Sequence, residues 1–160
     1  MAKAKKAGSK AETTTTIRCP AELRAVLALH GQGNISQGVR AMVSRHHALM
    51  RQALPELGAE ECKAVCGAMK GYPLWAAPEV AGKMALGPAL AHEIHDYRQA
   101  EPGEAEQWEL GDGGWQALES KCTGLADLQV LALAHACEAF FQDNNGGMDD
   151  IIWRHFRVRG

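Results

Sequence analysis

Histidines, cysteines and carboxylates at helical spacing are where chemistry would be sought first in this chain. The run His-Glu-Ile-His-Asp at 92–96 comes nearest to a metalloprotease helix. That chemistry needs histidines at i and i+4, so that both imidazoles face one zinc ion while a glutamate activates its water. Here the second histidine stands at i+3 and Asp96 at i+4, so the required pair is missing. Cys62 and Cys66 do have i,i+4 spacing and could join His92 and His95 around a metal. They also fall on the apolar stripe of their helix, where cysteine usually serves as a small buried hydrophobe. His135 and Cys137 lie two apart, and helix residues at that spacing do not face each other. Asp143 opens a run resembling a calcium loop, but its sixth position is Met148 instead of glycine and its twelfth is Arg154 instead of glutamate. No glycine-rich phosphate loop and no nucleophile elbow occurs. The expectation is a protein that is not an enzyme and carries no metal or cofactor. Trp75, Trp108, Trp115 and Trp153, with Phe140 and Phe141, are expected to fill a core.

The elements that hold these residues read as mainly helical. A helix is expected from Ala21 to His30, opened by Pro20 and ended by Gly31 and Gly33. Ser36 is a good N-cap for a second helix running to about Leu54. Further helices are expected over Ala59–Met69, over a stretch ending at Tyr97 that Pro88 should kink or divide, over Trp115–Cys122 and over Leu125–Gln142. Residues 101–114 read as an acidic loop, 143–147 as a turn, and the basic-aromatic run after Asp150 shows no clear pattern. Pro55 and Gly58 suggest a boundary, with residues 1–12 as a disordered basic arm, 13–54 as one domain and 55–160 as a small helical domain that folds alone.

Charge divides the chain in the same way. Residues 1–52 carry nine Lys or Arg against two Glu, whereas residues 53–160 carry eight basic and seventeen acidic residues. A basic first third on an acidic body fits a polyanion partner for that third only. Five cysteines with no secretory signal at the start point to a reducing cytoplasm. No apolar run approaches the roughly 18 residues that a membrane span needs.

One short strand, Thr13 to Cys19, precedes the first two helices with no second strand near it. A lone strand leaves its backbone hydrogen bonds unmade. Alternation places Thr15, Ile17 and Cys19 on one face, suited to cover the stripes of Leu23, Val26 and Leu27 and of Val39, Met42 and Val43. Thr14, Thr16 and Arg18 form the opposite face, which is polar and able to hydrogen-bond base edges. An antiparallel ribbon between two copies of the chain satisfies both faces.

The segments TTTTIRCP, AELRAVLALHG and GNISQGVRAMV resemble the ribbon-helix-helix DNA-binding proteins, the class of the Arc and MetJ repressors. The resemblance implies an intertwined dimer that inserts its two-stranded ribbon into the major groove. It implies base contacts at Thr14, Thr16 and Arg18, and a phosphate held at the start of the second helix by Asn34, Ile35, Ser36 and Gln37. Lys3, Lys5, Lys6 and Lys10 would add phosphate contacts. Cys19 before the proline and Gly38 in the second helix's first turn depart from the pattern. The resulting reading is a cytoplasmic homodimeric transcriptional regulator of the repressor type with double-stranded DNA as partner. Its carboxy-terminal helical domain would bind a ligand or protein, or tetramerise the protein on DNA. An antitoxin, or an accessory protein of plasmid partition or conjugation, is the alternative.

Overall fold

The computed structural model describes residues 19–70 and 85–159. The expected arm at 1–12, the strand up to Arg18 and the turn with Pro73, Trp75 and Pro78 lie outside the described residues. The described chain is mainly helical: α1 Ala21–His30, α2 Ile35–Ala53, β1 Glu56–Leu57, α3 Ala59–Met69, α4 Leu86–Ala100, α5 Pro102–Ala105, α6 Gly111–Thr123, α7 Asp127–Gln142, α8 Met148–His155 and β2 Arg157–Val158. No helix among the described residues is long and apolar enough to cross a membrane. The chain forms two compact units that meet between Ser44 and Arg45, inside α2 and not at Pro55.

In the smaller unit, α1 and the first half of α2 are joined by a tight turn and approach closely beside it. The turn has the geometry of a Schellman cap, with Gln32 left-handed at φ 52° and the Gly33 N–H donating to Ala28 O at 2.7 Å. Gly31 is not the left-handed residue. It is needed because a Cβ there would lie 1.9 Å from the Asn34 carbonyl oxygen. Gly38 has the same role from the other side, since its Cβ would lie 1.9 Å from the Leu27 carbonyl oxygen. The two helices thus touch backbone to backbone, which explains a glycine in the first turn of α2.

The larger unit encloses the core. Leu57, Leu90, Ile94, Leu118, Leu133 and Ile152 are fully buried, together with Cys62, Cys122 and Cys137. The stripe expected on α3 (Cys62, Val65, Cys66 and Met69) is buried throughout. α4 packs against α3, α6 and α7. Pro88 neither kinks nor divides it: the proline stands in the first turn, where a missing N–H costs no helical hydrogen bond. Residues 101–114 are not simply a loop, since they hold α5 and the start of α6, and Trp108 donates from Nε1 to the Tyr97 hydroxyl at 3.1 Å. The run after Gly147 forms α8 and then β2, which pairs in parallel with β1 as Glu56 with Arg157 and Leu57 with Val158. The carboxy-terminal region is therefore not all helical. Of the expected aromatic core, Trp115 is buried, whereas Trp153 and Phe141 are exposed.

One ion pair pins α3 to α6. Lys121 donates to both carboxylate oxygens of Glu61, at 3.1 and 2.8 Å, and the Gly58 N–H donates to Oε2 at 2.7 Å. Burial alone would push the Glu61 carboxyl up, but these hydrogen bonds outweigh it and hold it below its ordinary value. A carboxyl depressed in the folded state stabilises above its unfolded pKa and stops doing so as pH falls through the folded one. Glu61→Gln should therefore lower stability at pH 7 by about 1 kcal/mol, the low end of the range because the pair is partly solvated. The gap between variant and wild type should close below about pH 4. Urea unfolding followed by circular dichroism at several pH values measures both effects.

Candidate nucleic-acid interface

Asn34 sets the start of α2. Its Oδ1 accepts the Gln37 N–H at 3.1 Å, so Asn34 is the N-cap and Ser36 lies inside the first turn, contrary to the sequence expectation. Ser36 and Asn34 are equally good caps, and the turn geometry at Gln32 and Gly33 decides between them. Asn34, Ile35, Ser36 and Gln37 are all exposed. A helix start leaves its first N–H groups without intrahelical acceptors, and Asn34 occupies only that of Gln37. The N–H groups of Ile35 and Ser36 remain for an anion, at the positive end of the helix dipole. Arg24 and Arg40 make no ion pair among the described residues.

The expected dimer-core residues of the two helices divide sharply. Leu27 is buried inside the hairpin. Leu23 and Val26 on α1, and Val39, Met42 and Val43 on α2, remain exposed in the single chain, Leu23 at 48% and Val43 at 49%. Leu29 and Ile35 are exposed as well. Cys19 is half-buried. Thr14, Thr15, Thr16, Ile17, Arg18 and the lysines at 3, 5, 6 and 10 lie outside the described residues.

The constellations that resembled metal sites come apart. Cys62 and Cys66 are buried, and burial pushes both thiols up, Cys62 to about 12. Cys137 packs its sulfur 3.4 Å from that of Cys66 and 3.5 Å from that of Met69. His92 and His95 are exposed and sit beside carboxylates instead, Asp96 at 3.2 Å and Glu119 at 3.4 Å. The carboxylates of the calcium-like run are likewise engaged. Asp143 holds Arg154 and His155, Asp149 pairs with Lys63, and Asp150 accepts the Gly147 N–H. Among the described residues no three His, Cys, Asp or Glu side chains are arranged to hold a metal ion. Comparison of the chain with protein-family models, with curated proteins and with solved structures finds no match.

Proposed function

We propose that this protein is a homodimeric, sequence-specific DNA-binding regulator of the repressor type, with a ribbon formed by residues 13–19 of two chains reading the major groove. The observation that carries the reading is the bare apolar face of the α1–α2 hairpin. A single chain that folds this hairpin around Gly31 and Gly38 leaves Leu23, Val26, Val39, Met42 and Val43 in water. Apolar side chains left exposed together on two adjoining helices favour an interface there. A second copy covers it, and the strand of each chain pairs with that of the other. The N–H groups at the start of α2, and Arg24 and Arg40, which make no ion pair among the described residues, favour a phosphate backbone nearby.

The test combines DNA selection from a random pool with substitution on the polar strand face. Arg18→Ala should cost about 1–3 kcal/mol against the selected site and relax the preference at one base position in each half-site. Lys5→Ala should weaken selected and scrambled DNA alike and reduce the salt slope slightly. If Arg18→Ala keeps the ratio of selected to scrambled affinity while the fold is intact, the strand is not the reading head.

A further inference from the structure

The larger unit contains a cavity that the DNA-binding reading does not use. It lies between the second half of α2, α7 and α8, and encloses about 330 Å³. That volume falls in the range of small-molecule sites. Its floor is apolar, made by Met50 and Leu54 of α2 and by alanines on one face of α7, at 132, 136 and 139. The alanines create the space, because a larger side chain at any of them would fill it.

The rim carries two arginines and three histidines. Arg51 and His47 stand on α2, His135 on α7, and Arg154 and His155 on α8. Asp143 is bound to Arg154 and His155, which offsets one charge, and no carboxylate lines the cavity itself. Glu138 borders only an adjoining space that shares Met50 and His135. Arg51 is exposed and makes no ion pair among the described residues. His47 and His135 rings stand 5.1 Å apart, and His46 closes a triangle with them at 6.1 and 5.4 Å. Burial, then the neighbouring His47 and His46, holds His135 below its ordinary pKa. Five nitrogen-bearing side chains thus gather at one mouth of a unit that is acidic as a whole.

We propose that this cavity binds a small amphipathic organic anion, its apolar ring body on the Met50–Leu54–alanine floor and its carboxylate or equivalent oxyanion at Arg51, Arg154 and the rim histidines. Cationic groups beside an apolar floor match such a ligand in both parts, and hydrogen bonds between ions supply the larger share of the selectivity. The site is independent of DNA binding, and its test uses no DNA.

The probe is 2-naphthoate, with 2-naphthamide as its uncharged counterpart, titrated into the full chain by calorimetry at pH 7 with and without EDTA. Methyl signals of the methionines are followed by NMR. The expected result is naphthoate binding at least about tenfold tighter than the amide, a difference that one charge-assisted hydrogen bond supplies. The Met50 methyl should shift and that of Met42 should not. Arg51→Gln, at an exposed position where the fold tolerates the change, should remove most of the preference for the acid. Absence of naphthoate binding, equal affinity for acid and amide, an unmoved Met50 signal or an unchanged Arg51→Gln titration each overturns the site. Binding that disappears only when EDTA is added also overturns it, in favour of a metal held by the histidines.

Discussion

Gly38→Val should unfold the α1–α2 hairpin while the larger unit stays folded. The added Cβ would lie 1.9 Å from the Leu27 carbonyl oxygen and 2.6 Å from its carbon, and backbone atoms in a helix cannot step aside as a flexible side chain can. Separating the helices enough to admit the branch also removes the hydrogen-bonded turn at Gly31–Asn34. The cost should be at least about 3 kcal/mol, beyond ordinary overpacking. A hairpin of this size has little stability to spare. Hydrogen exchange read residue by residue gives the answer: amides in 21–44 should lose protection, while those in α3, α6 and α7 keep theirs. The variant should also sediment as a monomer and lose more than about 100-fold in affinity for selected DNA, because the proposed dimer face is built on this hairpin. Unchanged protection in 21–44 would mean that the hairpin accommodates the branch.

The second large effect concerns where the larger unit begins. A fragment of residues 55–160 should fail to fold cooperatively, whereas residues 45–160 should melt in one transition. Met50 and Leu54, 8% and 7% exposed, belong to the core cluster, although the sequence places both before the Pro55 break. Losing two large buried side chains costs about 2–5 kcal/mol each, a large part of the roughly 5–15 kcal/mol that holds a domain together. Thermal melts by circular dichroism, with dye binding to exposed apolar surface, compare the two fragments. A cooperative melt of 55–160 within a few degrees of 45–160 would show that the end of α2 adds nothing to the core.

These expectations depend on features that the sequence shows unevenly. Local signals were legible: Pro20 and the Gly31–Gly33 turn bound α1, and the acids after Gly58 with the Cys62, Val65, Cys66 and Met69 stripe bound α3. These rest on capping and periodicity, which operate within a turn or two. What depended on contact between distant residues was not legible. Gly38 reads as a mild helix defect until Leu27 is seen against it. β1 and β2 hold two residues each, too few to show alternation. Pro88 reads as a breaker because the helix start at Leu86 carries no strong cap signal. Trp153 is large and apolar, yet α8 turns Ile151 and Ile152 inward and leaves it outside. The cavity could not be read at all, since His47, His135 and His155 come from three helices that only the tertiary fold assembles. For the proposed interface, the two helices and their turn were legible, while most of the strand that would read DNA lies outside the described residues.

The pairing of β1 with β2 imposes an order in time. Leu57 is fully buried, and the Arg159 N–H donates to its carbonyl oxygen at 2.8 Å. Closing this contact means closing a loop of roughly 100 residues, an entropy that must be met before the contact returns anything. The α1–α2 hairpin closes over a turn of only a few residues, and it can do so as soon as the chain reaches Ser44. A chain leaving the ribosome therefore completes its amino-terminal hairpin early, while Leu57 waits in water until Arg157–Arg159 have been made. Through that interval the buried thiols of Cys62, Cys66, Cys122 and Cys137 are open to oxidants that never reach them in the finished fold. The age of the chain, more than its exposed surface, would then decide when this protein is vulnerable.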